Sequence, residues 1–272
     1  MSMRADSNDP AGEHSGAGTG EACDEHEPDV GALAALLASS ERVVALTGAG
    51  VSVPSGIPDF RSPDSGLWNT VDPMDVATID AFHRDTKGFW DFYRPRLDMV
   101  RQKRPNAAHE ALVELERRGR CDAVITQNID GLHQAAGSTG VVEVHGSIGT
   151  SSCTSCGATW TLDETESLFG DDGIATCTRC SGKVKPDVVL FGELLPAGAM
   201  ERARDLAARA DLLLCAGSSL EVYPVAELPA LTHEGGGRIA VVTQGSTPYD
   251  EVADVRVTGD VATALPSAVS EL

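Results

Sequence analysis

The sequence predicts an α/β protein, a doubly wound parallel sheet with a second, smaller lobe. Three observations carry that expectation. From Val30 onward, short apolar runs alternate with helix-like stretches. The runs are continuously apolar, as strands become when helices cover both faces of a sheet. Two Gly/Ser-rich turns directly follow such runs, where an open parallel sheet binds its ligands.

Residues 1–29 carry eight acids against one Arg and have no apolar face to bury, so a disordered acidic tail is expected. The folded part then spans 30–272. Residues 30–38 read as a short helix and the β-branched run 42–47 as the first strand. A helix is predicted over 106–118, with Asn106 as N-cap after Pro105 and Gly119 as its stop. Strands follow at 122–126, 141–144 and 187–191. A helix over 198–209 leads to strands at 211–215 and 238–242, and a last helix covers 260–269. This rhythm is Rossmann-like. Two stretches break it: 53–104, loop and helix, and 146–186, loop with paired cysteines. They are expected to form the inserted small lobe, a zinc-ribbon and helical unit.

Composition narrows the function classes. Hydrophobic residues at 42% supply a core, and with aromatics at 4% that core must be aliphatic. A net charge of -20 and a pI of about 4.6 argue against nucleic acid as a partner, because phosphate binding needs a basic face. Four Lys stand against seventeen Arg. The acidity fits either a salty cytoplasm or a GC-rich genome that encodes Arg over Lys, and melting temperature against molar salt separates the two. Cys23, Cys121 and Cys215 are scattered, which fits a reducing compartment. No signal-peptide stretch and no run near about 18 apolar residues is present, so a cytoplasmic protein without a membrane partner is expected.

Cys153, Cys156, Cys177 and Cys180 form two C-x-x-C knuckles separated by twenty residues. Together they can offer four thiolates to one tetrahedral zinc ion, leaving no position open for water, so such a zinc is structural. The alternative is a pair of redox dithiols. The turn Gly48-Ala49-Gly50-Val51-Ser52 follows the first strand, and Gly217-Ser218-Ser219 follows a later one. Glycines there let backbone approach a pyrophosphate, or merely close a tight turn. Gln127, Asn128, Ile129 and Asp130 sit at the end of strand 122–126. His145 follows strand 141–144. Such a histidine is suited to proton transfer near neutral pH, or satisfies a structural hydrogen bond.

In order along the chain, the segments Gly48-Ala49-Gly50-Val51-Ser52, Ser55-Gly56-Ile57-Pro58-Asp59-Phe60-Arg61, Thr126-Gln127-Asn128-Ile129-Asp130-Gly131-Leu132-His133 and Val144-His145-Gly146-Ser147 are followed by Lys185-Pro186-Asp187-Val188-Val189-Leu190-Phe191-Gly192-Glu193 and Gly217-Ser218-Ser219-Leu220. This set closely resembles the sirtuin family, with the paired cysteines in the family's place. The resemblance runs from about Val30 to the C-terminus and makes 30–272 the catalytic domain. It implies NAD as co-substrate, one structural zinc, and acylated-lysine proteins or peptides as partners. By the same resemblance, Gly48, Ala49, Gly50 and Ser52 would hold NAD, with Phe60 and Arg61 on a loop covering its ribose. Gln127, Asn128, Ile129 and Asp130 would line the nicotinamide side, and Gly217, Ser218, Ser219, Thr243 and Val261 the adenosine side. The acyl-lysine would enter near Val189 and Phe191, its peptide adding as a strand between Gly192-Glu193 and Leu220-Glu221-Val222. Asn128, Asp130 and His145 would be the catalytic set. His145 would act as general base on a ribose hydroxyl, and the products would be free lysine, nicotinamide and O-acyl-ADP-ribose.

Two features depart from or refine that pattern. Thr243 stands where the family often has Asn. Tyr93 and Arg96 lie three apart on an expected helix and resemble the Tyr-x-x-Arg pair of sirtuins that remove succinyl, malonyl or glutaryl groups; the alternative is a solvated basic helix. Asp59 stands where that branch more often has Thr. Two other functions use the same NAD site: a protein mono-ADP-ribosyltransferase, and a non-catalytic zinc-ribbon NAD sensor. Mass analysis of products separates the first, and NAD consumption with an acyl-peptide excludes the second.

Overall fold

A computed structural model of the chain describes residues 29–59, 66, 69 and 71–272. The first half contains helix α1 (Val30–Ala38), strand β1 (Val43–Thr47), helices α2 (Pro73–Val76), α3 (Ile79–Arg84), α4 (Thr86–Arg101) and α5 (Ala107–Arg117), strand β2 (Cys121–Thr126) and helix α6 (Leu132–Ala136). Next come strands β3 (Val141–Glu143), β4 (Gly146–Cys153) and β5 (Thr159–Thr161), helix α7 (Leu162–Glu166) and strand β6 (Val184–Val188). The rest is helix α8 (Ala197–Arg209), strand β7 (Leu212–Ala216), helix α9 (Leu228–Glu234), strands β8 (Arg238–Thr243) and β9 (Val255–Thr258), and helix α10 (Val261–Ser270).

Six strands pair in the order β3-β2-β1-β7-β8-β9, each neighbouring pair parallel. The expected doubly wound sheet is therefore present. Every residue of β1 and β7 is buried, which explains their unbroken apolar character. Leu33 and Leu37 of α1, Leu112 and Leu115 of α5 and Leu265 of α10 cover one face. Met200, Ala203 and Ala207 of α8 and Leu228 cover the other. Helix α5 starts and stops where its sequence signals lie. Asn106 Oδ1 accepts from Ala108 N at 2.9 Å, and Gly119, at φ +66°, takes the left-handed position past the C-cap. The chain builds β2 and β3 on one side of β1, then crosses to lay down β7, β8 and β9 on the other. Strand order reverses between β1 and β7. Their carboxyl ends consequently border the crevice in which such sheets bind ligands.

A second sheet, β5-β4-β6, is antiparallel. Its core joins Phe82, Phe89, Trp90 and Leu97 to Ile148, Leu168, Val184 and Val188, so the two stretches that break the sequence rhythm pack on each other. Trp90 Nε1 donates to Val184 O at 3.2 Å, and Arg94 and Arg101 of α4 pair with Glu166 and Asp163.

Two sequence expectations are corrected. The stretch 146–186 contains three strands and a helix rather than loop alone. The strand expected at 187–191 in the parallel sheet is instead Val184–Val188 in the antiparallel one, with alternate residues buried. One face of β6 is covered and the other is not, so its apolar residues are spaced by two rather than contiguous. Among the described residues, no helix is long and apolar enough to cross a membrane.

Candidate functional site

The turns after β1 and β7 interlock at the reversal of strand order. Gly50 N donates to Gly217 O at 2.8 Å. A Cβ on Gly50 would lie 2.8 Å from Gly217 Cα, and one on Gly217, at φ +61°, would lie 2.4 Å from Val51 N. Only glycine permits this approach. Asn106 steadies the segment from the side, its Nδ2 donating to Val51 O and Ser55 Oγ at 2.8 Å each.

Strand β2 delivers the polar groups. Asn128 N donates to Thr126 Oγ1 at 3.0 Å, and Asn128 Nδ2 donates to Gly48 O at 3.0 Å and Ser52 Oγ at 3.1 Å. Ser52 Oγ donates to Asp130 Oδ2 at 2.7 Å, while Asp130 Oδ1 accepts from Leu132 N at 2.9 Å. Gln127 Nε2 reaches Ser218 Oγ at 2.9 Å, bridging to the turn after β7. The structure thus brings Gly48, Ser52, Gln127, Asn128, Asp130 and Ser218 into one hydrogen-bonded cluster.

His145 stands beside it, with Nδ1 3.1 Å from Gln127 O. A carbonyl only accepts, so Nδ1 carries the proton and Nε2 is left as the basic nitrogen. Burial lowers the pKa of His145, partly offset by the bond to Gln127, and the ring is favoured neutral. Val189 N donates to His145 O at 2.9 Å, which ties the expected acyl-lysine wall to the main chain of His145. Phe191 is bridged to α2–α3: its N donates to Ala77 O and its O accepts from Ile79 N. Glu193 Oε2 accepts from Leu190 N at 2.9 Å and Lys185 Nζ at 3.0 Å, pinning the Gly192 turn. Leu220 is buried, its N donating to Ser218 Oγ at 3.2 Å, and Val222 O accepts from Ala226 N. Thr243 ends β8 and Val261 begins α10 at the same edge of the sheet; Ala49, Ile129 and Ser219 lie within the turns already named. Phe60 and Arg61 fall outside the described residues.

On α4, Tyr93 stacks on Phe89 with centroids 4.3 Å apart, and burial pushes its phenol pKa well above the usual range. The Arg96 guanidinium lies 3.5 Å from the Phe92 ring centroid and donates to Phe92 O. Burial lowers its pKa, and among the described residues no carboxylate pairs with it.

Below the crevice lies a buried layer to which the sequence motifs gave no role. His133 Nε2 and Thr126 Oγ1 each lie 2.9 Å from Thr47 Oγ1, and the His109 ring is 4.8 Å from that of His133. The only signal was the position of His133 three residues after Asp130 and of His109 three after Asn106. Burial, and then the His109 neighbour, push the His133 pKa down to about 3 from 6.5. Between those values the unfolded chain binds a proton that the folded chain refuses. Stability is therefore full above pH 6.5 and falls as pH drops toward 3, by about 1.4 kcal/mol per unit at most. The thermal midpoint should fall steadily from pH 7 to pH 4, and His133→Gln, which cannot charge, should flatten the slope. An unchanged slope would show that the charge sits elsewhere.

The four cysteine sulfurs lie within 4.8 Å of one another. Cys153 and Cys180 Sγ are 3.5 Å apart, and Cys156 and Cys177 Sγ 3.6 Å. These separations are too long for disulfides and match the edge of about 3.8 Å that four Zn–S bonds of 2.3 Å define. Ser155 N and Arg179 N point at the Cys153 and Cys177 sulfurs, as thiolates require. The donor set fits zinc.

A parallel sheet with a glycine-lined crevice and a four-cysteine ribbon defines a dinucleotide-binding protein with a structural metal. The Sir2 family model matches residues 48–224. A protein of Sulfurisphaera tokodaii named NAD-dependent protein deacetylase is 45% identical over 86% of this chain and 92% of its own length. One of Pyrococcus abyssi named NAD-dependent protein deacylase is 42% identical over 88% and 96%. A Sir2 structure with a deacetylated p53 peptide and 3'-O-acetyl ADP ribose superposes with a TM-score of 0.83 at 40% identity, covering 88% of this chain and 96% of the other. A Sir2 complex with p53 peptide and NAD+ gives 0.82 at 39% identity, covering 88% and 96%. The chain belongs to the Sir2 family.

Proposed function

We propose that the chain is an NAD-dependent protein-lysine deacylase of a reducing cytoplasm, with residues 30–272 as its catalytic unit. One observation carries the mechanism: the Gln127 carbonyl holds the His145 Nδ1 proton and leaves Nε2 basic beside the Asn128–Ser52–Asp130 cluster. Bound NAD would supply an activated ribosyl carbon and the ribose hydroxyl that receives the acyl group. Asn128 has its amide nitrogen committed to Gly48 and Ser52, so its carbonyl oxygen faces the ligand. Asp130, Gln127 and Ile129 orient the nicotinamide half, and the Gly48–Gly50 turn and Gly217–Ser219 turn hold the pyrophosphate and adenosine. His145 Nε2 takes the proton of a ribose hydroxyl. Val189, Phe191, Gly192, Glu193, Leu220 and Val222 line the acyl-lysine peptide.

The metal has no part in this chemistry. Gly146, the neighbour of His145, pairs with Val188 of β6 and Cys153 with Val184, four residues further along, so the cysteine lies about 13 Å down the strand at 3.3 Å per residue. Acyl-peptides incubated with NAD and analysed by mass test the proposal. O-acyl-ADP-ribose is expected; ADP-ribosylated protein without it would identify a transferase instead.

The Arg96 environment favours acidic acyl groups as substrates. A partly desolvated guanidinium beside Tyr93, with no carboxylate partner among the described residues, suits a succinyl or malonyl carboxylate. Arg96→Met should lower kcat/KM on succinyl-lysine peptide by about 10- to 100-fold and on acetyl-lysine peptide by less than about threefold, one lost charged hydrogen-bond pair. No succinyl activity in the parent, unaltered by the substitution, retires the idea.

A further inference from the structure

The sheet's last strand carries an arginine that neither the motifs nor the proposed reaction uses. In β9, Val257 packs into the face covered by α5 and α10. Arg256 therefore points to the opposite face, beside its register partner Val241 and beneath the loop that follows β8. There its guanidinium reaches that loop from several sides. Nη1 donates to Thr243 O at 2.9 Å and Val257 O at 2.7 Å, Nη2 donates to Gly245 O at 2.5 Å, and Nε donates to Asp250 Oδ1 at 3.0 Å. Asp250 also accepts from Thr247 N at 3.1 Å and Thr247 Oγ1 at 2.7 Å, which closes the loop on itself. Tyr249 Oη donates to Ala226 O at 2.6 Å and ties its far side to the sheet's other loops.

This loop leaves β8 at the carboxyl edge, next to the Gly217 turn, whose N donates to Val242 O at 2.9 Å. A threonine hydroxyl has a short reach, so any contact that Thr243 makes with a ribose depends on where its backbone is held. We propose that Arg256 is a positioning residue for the adenosine half of NAD, fixing the Thr243–Gly245 backbone through two of its carbonyls and the rest of the loop through the Asp250 carboxylate. The inference rests on the NAD reading above. Charge-assisted bonds converging from one rigid strand hold a loop more firmly than neutral turn contacts do.

The test compares parent, Arg256→Met and Arg256→Lys, by steady-state kinetics in NAD and in acyl-peptide and by calorimetric binding of ADP-ribose. Arg256→Met should raise KM for NAD and Kd for ADP-ribose about tenfold, the scale of one charged hydrogen bond. Its kcat and peptide KM should stay within about twofold, and Arg256→Lys should recover part of the loss. A purely structural arginine would lower the melting temperature and leave the NAD constants alone, and that result overturns the proposal. So does a fall in kcat with KM unchanged. Should Arg256→Met fail to fold, Arg256→Lys carries the test, since an amine cannot serve every acceptor and KM for NAD must still rise. A parent that binds no ADP-ribose defeats the NAD reading itself; a parent that binds it, with variants that bind equally well, defeats only the role of Arg256.

Discussion

His145→Ala is expected to lower kcat on an acyl-lysine peptide by about 10²- to 10⁴-fold, the usual contribution of a positioned general base. NAD affinity should change by less than about twofold, because the imidazole bonds to the Gln127 backbone rather than to the Asn128, Ser52 and Asp130 side chains. Rapid-quench assays of nicotinamide and O-acyl-ADP-ribose separate the two effects. The pH profile adds a second readout. Burial lowers the His145 pKa, so the neutral base persists below the ordinary imidazole range and the acid limb of kcat/KM should fall below pH 6.5. An acid limb above that value, or full turnover by the alanine variant, would remove His145 from the chemistry.

Stripping the metal, or changing Cys177 to Ser, is expected to collapse the small lobe while the parallel sheet persists. Cys177 is buried, and β4, β5 and β6 share a core with α4. Such a small sheet lacks the apolar area to hold itself together, so metal binding and folding are coupled. Trp90 reports on it, since its indole is buried and donates to Val184 O. Chelation should shift its emission to the red and abolish turnover. The loss of turnover is indirect: β4 begins next to His145 and β6 ends next to Val189, which bonds to His145 O. Readdition of zinc should restore both signals; turnover that survives chelation would show that the lobe stands without its metal.

The large sheet was legible because buried parallel strands advertise themselves. The runs at β1, β2, β7 and β8 are buried on both faces, and their ends carry the glycines and polar groups. Strand β9 was missed because it is short, lies at the edge and includes Arg256. The small sheet was misread because its strands are half-covered and polar; β4 reads Gly-Ser-Ile-Gly-Thr-Ser-Ser-Cys, with no apolar run to notice. Of the site, the Asn128 to Asp130 cluster and the four cysteines follow from local spacing. The Arg256 clamp and the His109–His133 layer do not, because each is made of groups that look ordinary one at a time and meet only through the fold.

Since Gly50 and Gly217 occupy each other's side-chain space, main chain alone fills the point where the two turns cross. Side-chain drift there has nothing to act on. On the proposed reading of the adenosine side, efforts to retune this protein toward altered dinucleotides work from the rim, at Thr243 and Val261, and leave the crossing of the two glycine turns untouched.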